Sequence, residues 1–377
     1  MTRVARGGAL LLVLLAVVIV VVVAATGGGA PVEAQPLVAP PHVSDLSSSG
    51  FSVVFVTERD VEATVEVARH DDAFARAAGD HGRLHRIRVT GLSPLESVKY
   101  RVVAGGKQLA SATARSGPSD RSSALDFVVF GDTRGGPAVE RAVIEAARAL
   151  APALVMHTGD YVPVGGDERE WRTALANEAP LMQETPLYLA IGNHELLSDP
   201  DGLLARRFLP PPDGGPTYYT FRTGPARFVV LDSNHLSPTQ LAWLDQTLAA
   251  AAKEEGTPHV FVFLHHPPYS NGDHCGSASQ QQAMLEVLSR HRPSAVFAGH
   301  DHAYERLEAG GIRYFVTGGG GAPLYGHNDF CSEDDKRALK VFRAEYHLLR
   351  VRIRGTSVEV EVVRPGTSDI ETVRWND

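Results

Sequence analysis

The sequence predicts a chain of mixed class (α+β/α-β) in two parts, an N-terminal β-sandwich followed by an α/β domain. Three observations carry this expectation. Residues 36–117 hold short runs rich in Val and aromatic residues, separated by turn residues and without a helical stretch. A polar segment with Gly and Pro, Arg115–Ala124, then reads as a linker. Beyond it, apolar runs alternate with segments of helical periodicity. The divisions are a leader at 1–35, the sandwich at 36–117, a linker at 118–124 and the α/β domain at 125–377.

In the leader, Arg3 and Arg6 precede an unbroken apolar run from Ala9 to Ala25, and Gly27–Gly29 closes it. A basic start, an apolar stretch and a small-residue exit describe a secretory signal, with Val32-Glu33-Ala34 as a cleavage site. The alternative is an uncleaved anchor, since the run nearly reaches the ~20 residues that span a bilayer. Either way the rest of the chain is exported, to a secreted, cell-surface or periplasmic location. A membrane is a partner only if the segment stays uncleaved.

The strands expected in the sandwich are Phe51–Thr57, Glu62–Ala68, His85–Thr90, Val98–Val103 and Gln108–Ala114. Gly91–Val102 resembles the strand-turn-strand signature of fibronectin type III domains, which implies a buried Tyr100. No catalytic constellation occurs there, so this part reads as a packing or spacer module.

At 377 residues, with 44% hydrophobic and 21% charged residues, the chain can form a packed core. Its net charge of −8 argues against nucleic acid, whose phosphate backbone selects basic surfaces. A small phosphorylated substrate needs only local positive charge, which metal ions can supply. The two cysteines, Cys275 and Cys331, are expected to pair in an oxidising compartment, the alternative being two unrelated thiols.

In the α/β domain the apolar runs are Phe127–Phe130, Ala153–Met156, Leu187–Ile191, Val260–Leu264, Ala295–Ala298 and Tyr314–Val316. Helices are expected at Ala138–Leu150, after the Ser237-Pro238 cap and over Ser277–Arg290. Five of the runs lead straight into residues that can ligate a metal: Asp132, Asp160, Asn193, His265 and the pair His300/His302. Open α/β sheets gather ligands at the C-terminal ends of their strands. Carboxylate, amide oxygen and imidazole suit hard to borderline metals, and no Cys takes part, unlike a structural zinc site. One Gly-Asp after a strand is usually a turn, but five such motifs in order are not five turns.

This ordered set, most specifically GHDHAYER at Gly299–Arg306 and GNHE at Gly192–Glu195, resembles the calcineurin-like metallophosphoesterase superfamily. With the N-terminal sandwich it is similar to the purple acid phosphatase branch. The resemblance implies an αββα sandwich of two facing sheets flanked by helices, and two metal ions per chain, from Fe, Mn or Zn. Asp160 would bridge them, Asp132 and His302 would hold one, and Asn193, His265 and His300 the other. His194 would contact phosphate and leaving group, and Arg134 a phosphate oxygen. His274, beside Cys275, would be a second candidate for protonating the leaving group, held in place by the disulfide. His266 reads as a packing or supporting residue. Two close cations acidify a water and clamp the phosphoryl oxygens, so the resemblance implies phosphate monoester hydrolysis. The alternatives are a phosphodiesterase of the same fold and, remotely, a non-catalytic surface module.

Two positions depart from the family pattern. Where purple acid phosphatases carry an iron-binding Tyr three residues after the bridging Asp, this chain has Pro163, and Tyr161 is expected to point elsewhere. Where many other members have a His two residues after the first Asp, it has Arg134. One metal would then keep only Asp132, Asp160 and His302 and bind more weakly.

Overall fold

The computed structural model describes residues 37–69, 73–256 and 258–377; the expected leader lies outside them. The N-terminal region contains β1 (His42–Ser47), β2 (Gly50–Ala68), β3 (Ala75–Val89), β4 (Ser97–Ala104) and β5 (Lys107–Arg115). β2 and β3 pair antiparallel along nearly their whole length. The first half of β2 also pairs with β1 and its second half with β4. The hydrogen-bonded sheet thereby folds over itself and encloses Val43, Phe51, Val53, Val65, Ile87, Val102 and Tyr100. The sequence divides β2 at its polar residues into Phe51–Thr57 and Glu62–Ala68. In the structure a register shift between Val56 and Val61 absorbs those residues, and one bent strand serves both halves.

Ser116 and Gly117, at the start of the polar segment, are tied down. Gly117 N–H donates to the Ser47 carbonyl, Ser116 Oγ to that of Ser93, and Ser116 is buried. Two further bonds fasten the sandwich to the α/β domain: Tyr100 hydroxyl to the Gln183 carbonyl, and Leu46 N–H to the Tyr188 hydroxyl.

The α/β domain comprises β6 (Ala124–Phe130), α1 (Pro137–Ala149), β7 (Val155–His157), α2 (Glu168–Met182), β8 (Leu187–Leu189), α3 (Leu203–Phe208), β9 (Tyr219–Thr223), β10 (Ala226–Val230), α4 (Pro238–Ala251), β11 (His259–Phe263), α5 (Gln282–His291), β12 (Ala295–Ala298), β13 (Tyr304–Ala309), β14 (Ile312–Thr317), α6 (Glu333–Ala338), β15 (Leu339–Arg343), β16 (Leu348–Arg354), β17 (Ser357–Val363) and β18 (Thr372–Asn376). They form two sheets, ordered β18-β17-β16-β6-β7-β8 and β15-β13-β14-β12-β11-β10-β9. Alternation along β6 explains the layers. Phe127 and Val129 face the second sheet, in a core with Phe228, Phe261, Phe263, Phe297 and Val351. Val128 and Phe130 face the helices, with Val143 of α1 and Trp171 of α2. The outer face of the other sheet is covered by Leu244, Leu248, Met284 and Val287. The αββα arrangement results.

α1 and the Ser237 cap of α4 stand where the sequence places them; Ser237 Oγ accepts the Gln240 N–H. The third helix does not begin at Ser277. Ser277 Oγ donates to the Pro267 carbonyl and so fastens the segment to the loop after β11; α5 starts only at Gln282. Among the described residues no helix is long and apolar enough to cross a membrane.

Candidate metal centre

β6, β7 and β8 run parallel in one sheet, and β10, β11, β12 and β14 in the other. The loops leaving β6, β7 and β8 carry Asp132, Asp160 and Asn193; those leaving β11 and β12 carry His265, His300 and His302. The six residues meet at the seam between the sheets. Three of them, Asp132, Asp160 and His300, turn the chain themselves, with φ of 57°, 55° and 70°. Positive φ is costly for non-glycine residues and persists where surrounding structure enforces it. The neighbouring glycines are needed for space. A Cβ on Gly192 would stand 2.4 Å from Asp160 Oδ1, and one on Gly299 2.5 Å from Asp132 Oδ2.

The first ligand cluster centres on His265. Its Nδ1 lies 2.8 Å from the Thr158 carbonyl, an acceptor only, so Nδ1 carries the hydrogen and Nε2 presents a lone pair. That lone pair faces Asn193 Oδ1 at 3.0 Å, His300 Nδ1 at 3.2 Å and Asp160 Oδ1 at 3.3 Å. A single proton relieves one of these contacts; a cation relieves all of them. Burial lowers the His300 pKa, as do neighbouring imidazoles, so its ring is neutral and able to ligate. For His265 burial also acts downward, but the Asp160 and Asp132 carboxylates outweigh it and raise the pKa. The site draws positive charge, and its donors fit a metal ion.

In the second cluster, ligand atoms of Asp132, Asp160 and His302 lie within 4.8 Å of one another, all buried. His302 Nδ1 donates to the Pro323 carbonyl at 2.7 Å, which turns Nε2 toward Asp132 Oδ1 at 3.5 Å. Here a cation from the chain is present. Arg134 Nε donates to Asp160 Oδ2 at 3.0 Å, and its Nη2 stands 3.5 Å from His302 Nε2. Burial alone would raise the Asp160 pKa, but the charges of His265, His194 and Arg134 reverse this and lower it, so Asp160 is a carboxylate.

His194 lies beside this cluster, its Nδ1 2.6 Å from the Pro163 carbonyl and its Nε2 3.8 Å from Asp160 Oδ2. Pro163 therefore supports His194 through its backbone. Tyr161 points away, as expected, with its hydroxyl on Met182 Sδ. His274 is in the cleft, its ring centroid 4.2 Å from that of His300. Asp301 accepts from both its backbone N–H and its Nδ1, and this hydrogen bond raises the His274 pKa. Cys275 and Cys331 are bonded, Cα atoms 5.3 Å apart, beside it.

Four further residues of the centre receive no catalytic or ligand role from the sequence, although Glu195 and Asp301 lie within the two motifs quoted above. Glu195, fully buried, accepts the backbone N–H groups of Asp160, Tyr161, Val162 and Gly192, and so fixes two ligand loops at once. Glu195→Gln leaves one acceptor oxygen where there were two. It is expected to lower metal affinity roughly 10- to 100-fold, read by equilibrium dialysis. His266, which reads as packing from sequence, has a ring nitrogen within 4.8 Å of the ligand atoms of His265 and His300. Ser233 Oγ accepts the N–H of both His265 and His266, so its own hydrogen goes to His266 Nδ1. Nε2 then carries the ring proton, and burial, which pulls the His266 pKa down to about 3, keeps the ring neutral. In this tautomer His266 Nε2 is a hydrogen-bond donor; the neutral ring is also placed to join His265 and His300 around an ion. Asp301 orients His274 as described, and Tyr325 stacks on His302 with centroids 4.0 Å apart. None of these four directly follows a glycine, as Asp132, Asp160, Asn193 and His300 do.

Residues 125–304 match the family model described as Calcineurin-like phosphoesterase. The chain carries a calcineurin-like phosphoesterase domain. Purple acid phosphatase 22 of Arabidopsis thaliana is 26% identical over 294 residues, 71% of this chain and 66% of that protein. The chain spans about a third to two thirds of the length of the curated relatives it matches. Among solved structures, a purple acid phosphatase from yellow lupin (Lupinus luteus) seeds superposes with a TM-score of 0.78 at 15% identity, covering 91% of this chain and 75% of that one. PhoD superposes with a TM-score of 0.68 at 12% identity, covering 92% of each chain. These two likenesses establish the fold, and the sequence relatives place the domain beside the purple acid phosphatases.

Proposed function

We propose that this chain is an exported, metal-dependent phosphoesterase that hydrolyses phosphate monoesters. The observation that carries the reading is the arrangement about His265 Nε2, where a lone pair meets three further ligand atoms at 3.0–3.3 Å. Metal held at this centre would supply Lewis acidity and an acidified water. The side chains do the rest. Asp160 turns Oδ1 to one cluster and Oδ2 to the other, which suits a bridging role. Asn193 adds an oxygen ligand without adding charge against an anionic substrate. His194, anchored through Nδ1, offers Nε2 to a phosphoryl oxygen or the leaving group. His266 Nε2–H is a second candidate donor, beside His265 and His300. His274, held by Asp301, is a further proton source for the leaving group.

Beside Asn193 and His266 a cleft of about 680 Å³ is lined by Leu196, Leu197, Ser233, Asn234 and Gln280, among others, with no Lys or Arg. It suits an uncharged leaving group. Export is supported by the Cys275–Cys331 bond, since disulfides persist in oxidising compartments. Steady-state hydrolysis of p-nitrophenyl phosphate against its bis ester tests the substrate class. The monoester is expected to have the higher kcat/KM; a preference for the diester would assign the chain to phosphodiester chemistry instead.

A further inference from the structure

The two ligand clusters differ in what fills them. Around His265 no hydrogen-bond donor from the described residues reaches the converging atoms in a way that satisfies them all. Around His302 one cationic donor meets two of the three atoms: Arg134 delivers Nε–H to Asp160 Oδ2 and turns Nη2 toward His302 Nε2. Two of the three ligand atoms of that cluster are thus already matched to positive charge. The side chain is only 19% exposed, and its partner Asp160 is 1% exposed, so this ion pair is shielded from solvent. We propose that the Arg134 guanidinium is the second cation of this centre, and that the chain firmly binds one metal ion, held by Asp160, Asn193, His265 and His300.

Charge and ligand number both favour this. The second cluster brings two carboxylates, one of them shared with the first, and Arg134 cancels one of those charges. A divalent ion added there would meet an adjacent fixed positive charge and only three protein ligands. Arginine stays protonated in proteins, so it cannot give way by losing its proton, as a lysine or histidine could. It must swing out, abandoning Asp160. The guanidinium also keeps a function that a second ion would serve, because its planar fork binds phosphoryl oxygens through paired N–H groups. A second ion would enter only at higher free metal, in competition with Arg134.

The inference rests on the metal-binding reading of the first cluster and not on any substrate. Its test is therefore a count of ions. Wild-type protein and Arg134→His, both stripped with chelator, are dialysed against Mn²⁺ or Zn²⁺ at a free concentration that just saturates the first site. Elemental analysis then gives ions per chain. Wild type is expected to hold one ion and Arg134→His two, because the imidazole removes the charge and adds a ligand. Two ions in wild type at that concentration would overturn the proposal, as would an Arg134→His count no higher than wild type. Should the variant not fold, the wild-type count alone decides. An absence of phosphatase activity would leave this count untouched and would sink the proposed function instead.

Discussion

Asp160→Asn is expected to abolish turnover, with a loss of roughly 10³-fold or more in kcat. The substitution keeps shape but removes the one carboxylate that addresses both ligand clusters. Oδ1 stands 3.3 Å from His265 Nε2 and Oδ2 accepts from Arg134 Nε. An amide in its place carries no charge, and its nitrogen would set N–H groups toward either a metal position or the Arg134 fork. Metal content should fall together with activity, since Asp160 contributes the only carboxylate of the His265 cluster. A variant that retained most of its activity with its metal bound would refute the role given to Asp160.

His194→Ala is expected to lower kcat by roughly 10²-fold while metal content stays at the wild-type level. The imidazole is fixed by the Pro163 carbonyl, and its Nε2 lies 3.8 Å from Asp160 Oδ2, beyond the spacing of the ligand atoms about His265. The backbone N–H of His194, which donates to Asp160 Oδ1 at 3.0 Å, survives the substitution, so the ligand loop keeps its support. Loss of metal in this variant would make His194 a ligand and remove it as a substrate contact.

Much of the candidate centre is legible in the sequence because its candidate ligands sit at strand ends. Each apolar run of β6, β7, β8, β11 and β12 is buried on both faces, so it reads as a continuous hydrophobic stretch, and the residue after it has to lie at the sheet edge. What the sequence conceals is which sheet each strand joins. Asp132, Asp160 and Asn193 come from one and the histidines from the other, and no local pattern separates β8 from β11. α2 escapes a reading by periodicity because its stretch Glu168–Met182 carries Pro180 and many charges, and its stability comes from Trp171 packed into the helix layer. The hairpin β16–β17 does carry a signal, alternating apolar and charged residues in LLRVRIR and SVEVEVV, with Arg350 and Arg352 facing Glu361 and Glu359. Arg134 illustrates the limit of spacing. Its place two residues after Asp132 suggests a phosphate contact, whereas only the folded geometry reveals that it reaches across to Asp160 and His302.

The central claim, metal-dependent phosphoester hydrolysis at this seam, is tested most directly by removing and restoring the metal. Protein treated with a strong chelator and desalted should lose p-nitrophenyl phosphate hydrolysis, and stepwise addition of Mn²⁺, Zn²⁺ or Fe²⁺ should restore it with at least one of them. The same additions to Asp160→Asn should restore nothing. Hydrolysis that persists at the wild-type rate after the metal is shown by elemental analysis to be gone would contradict the account.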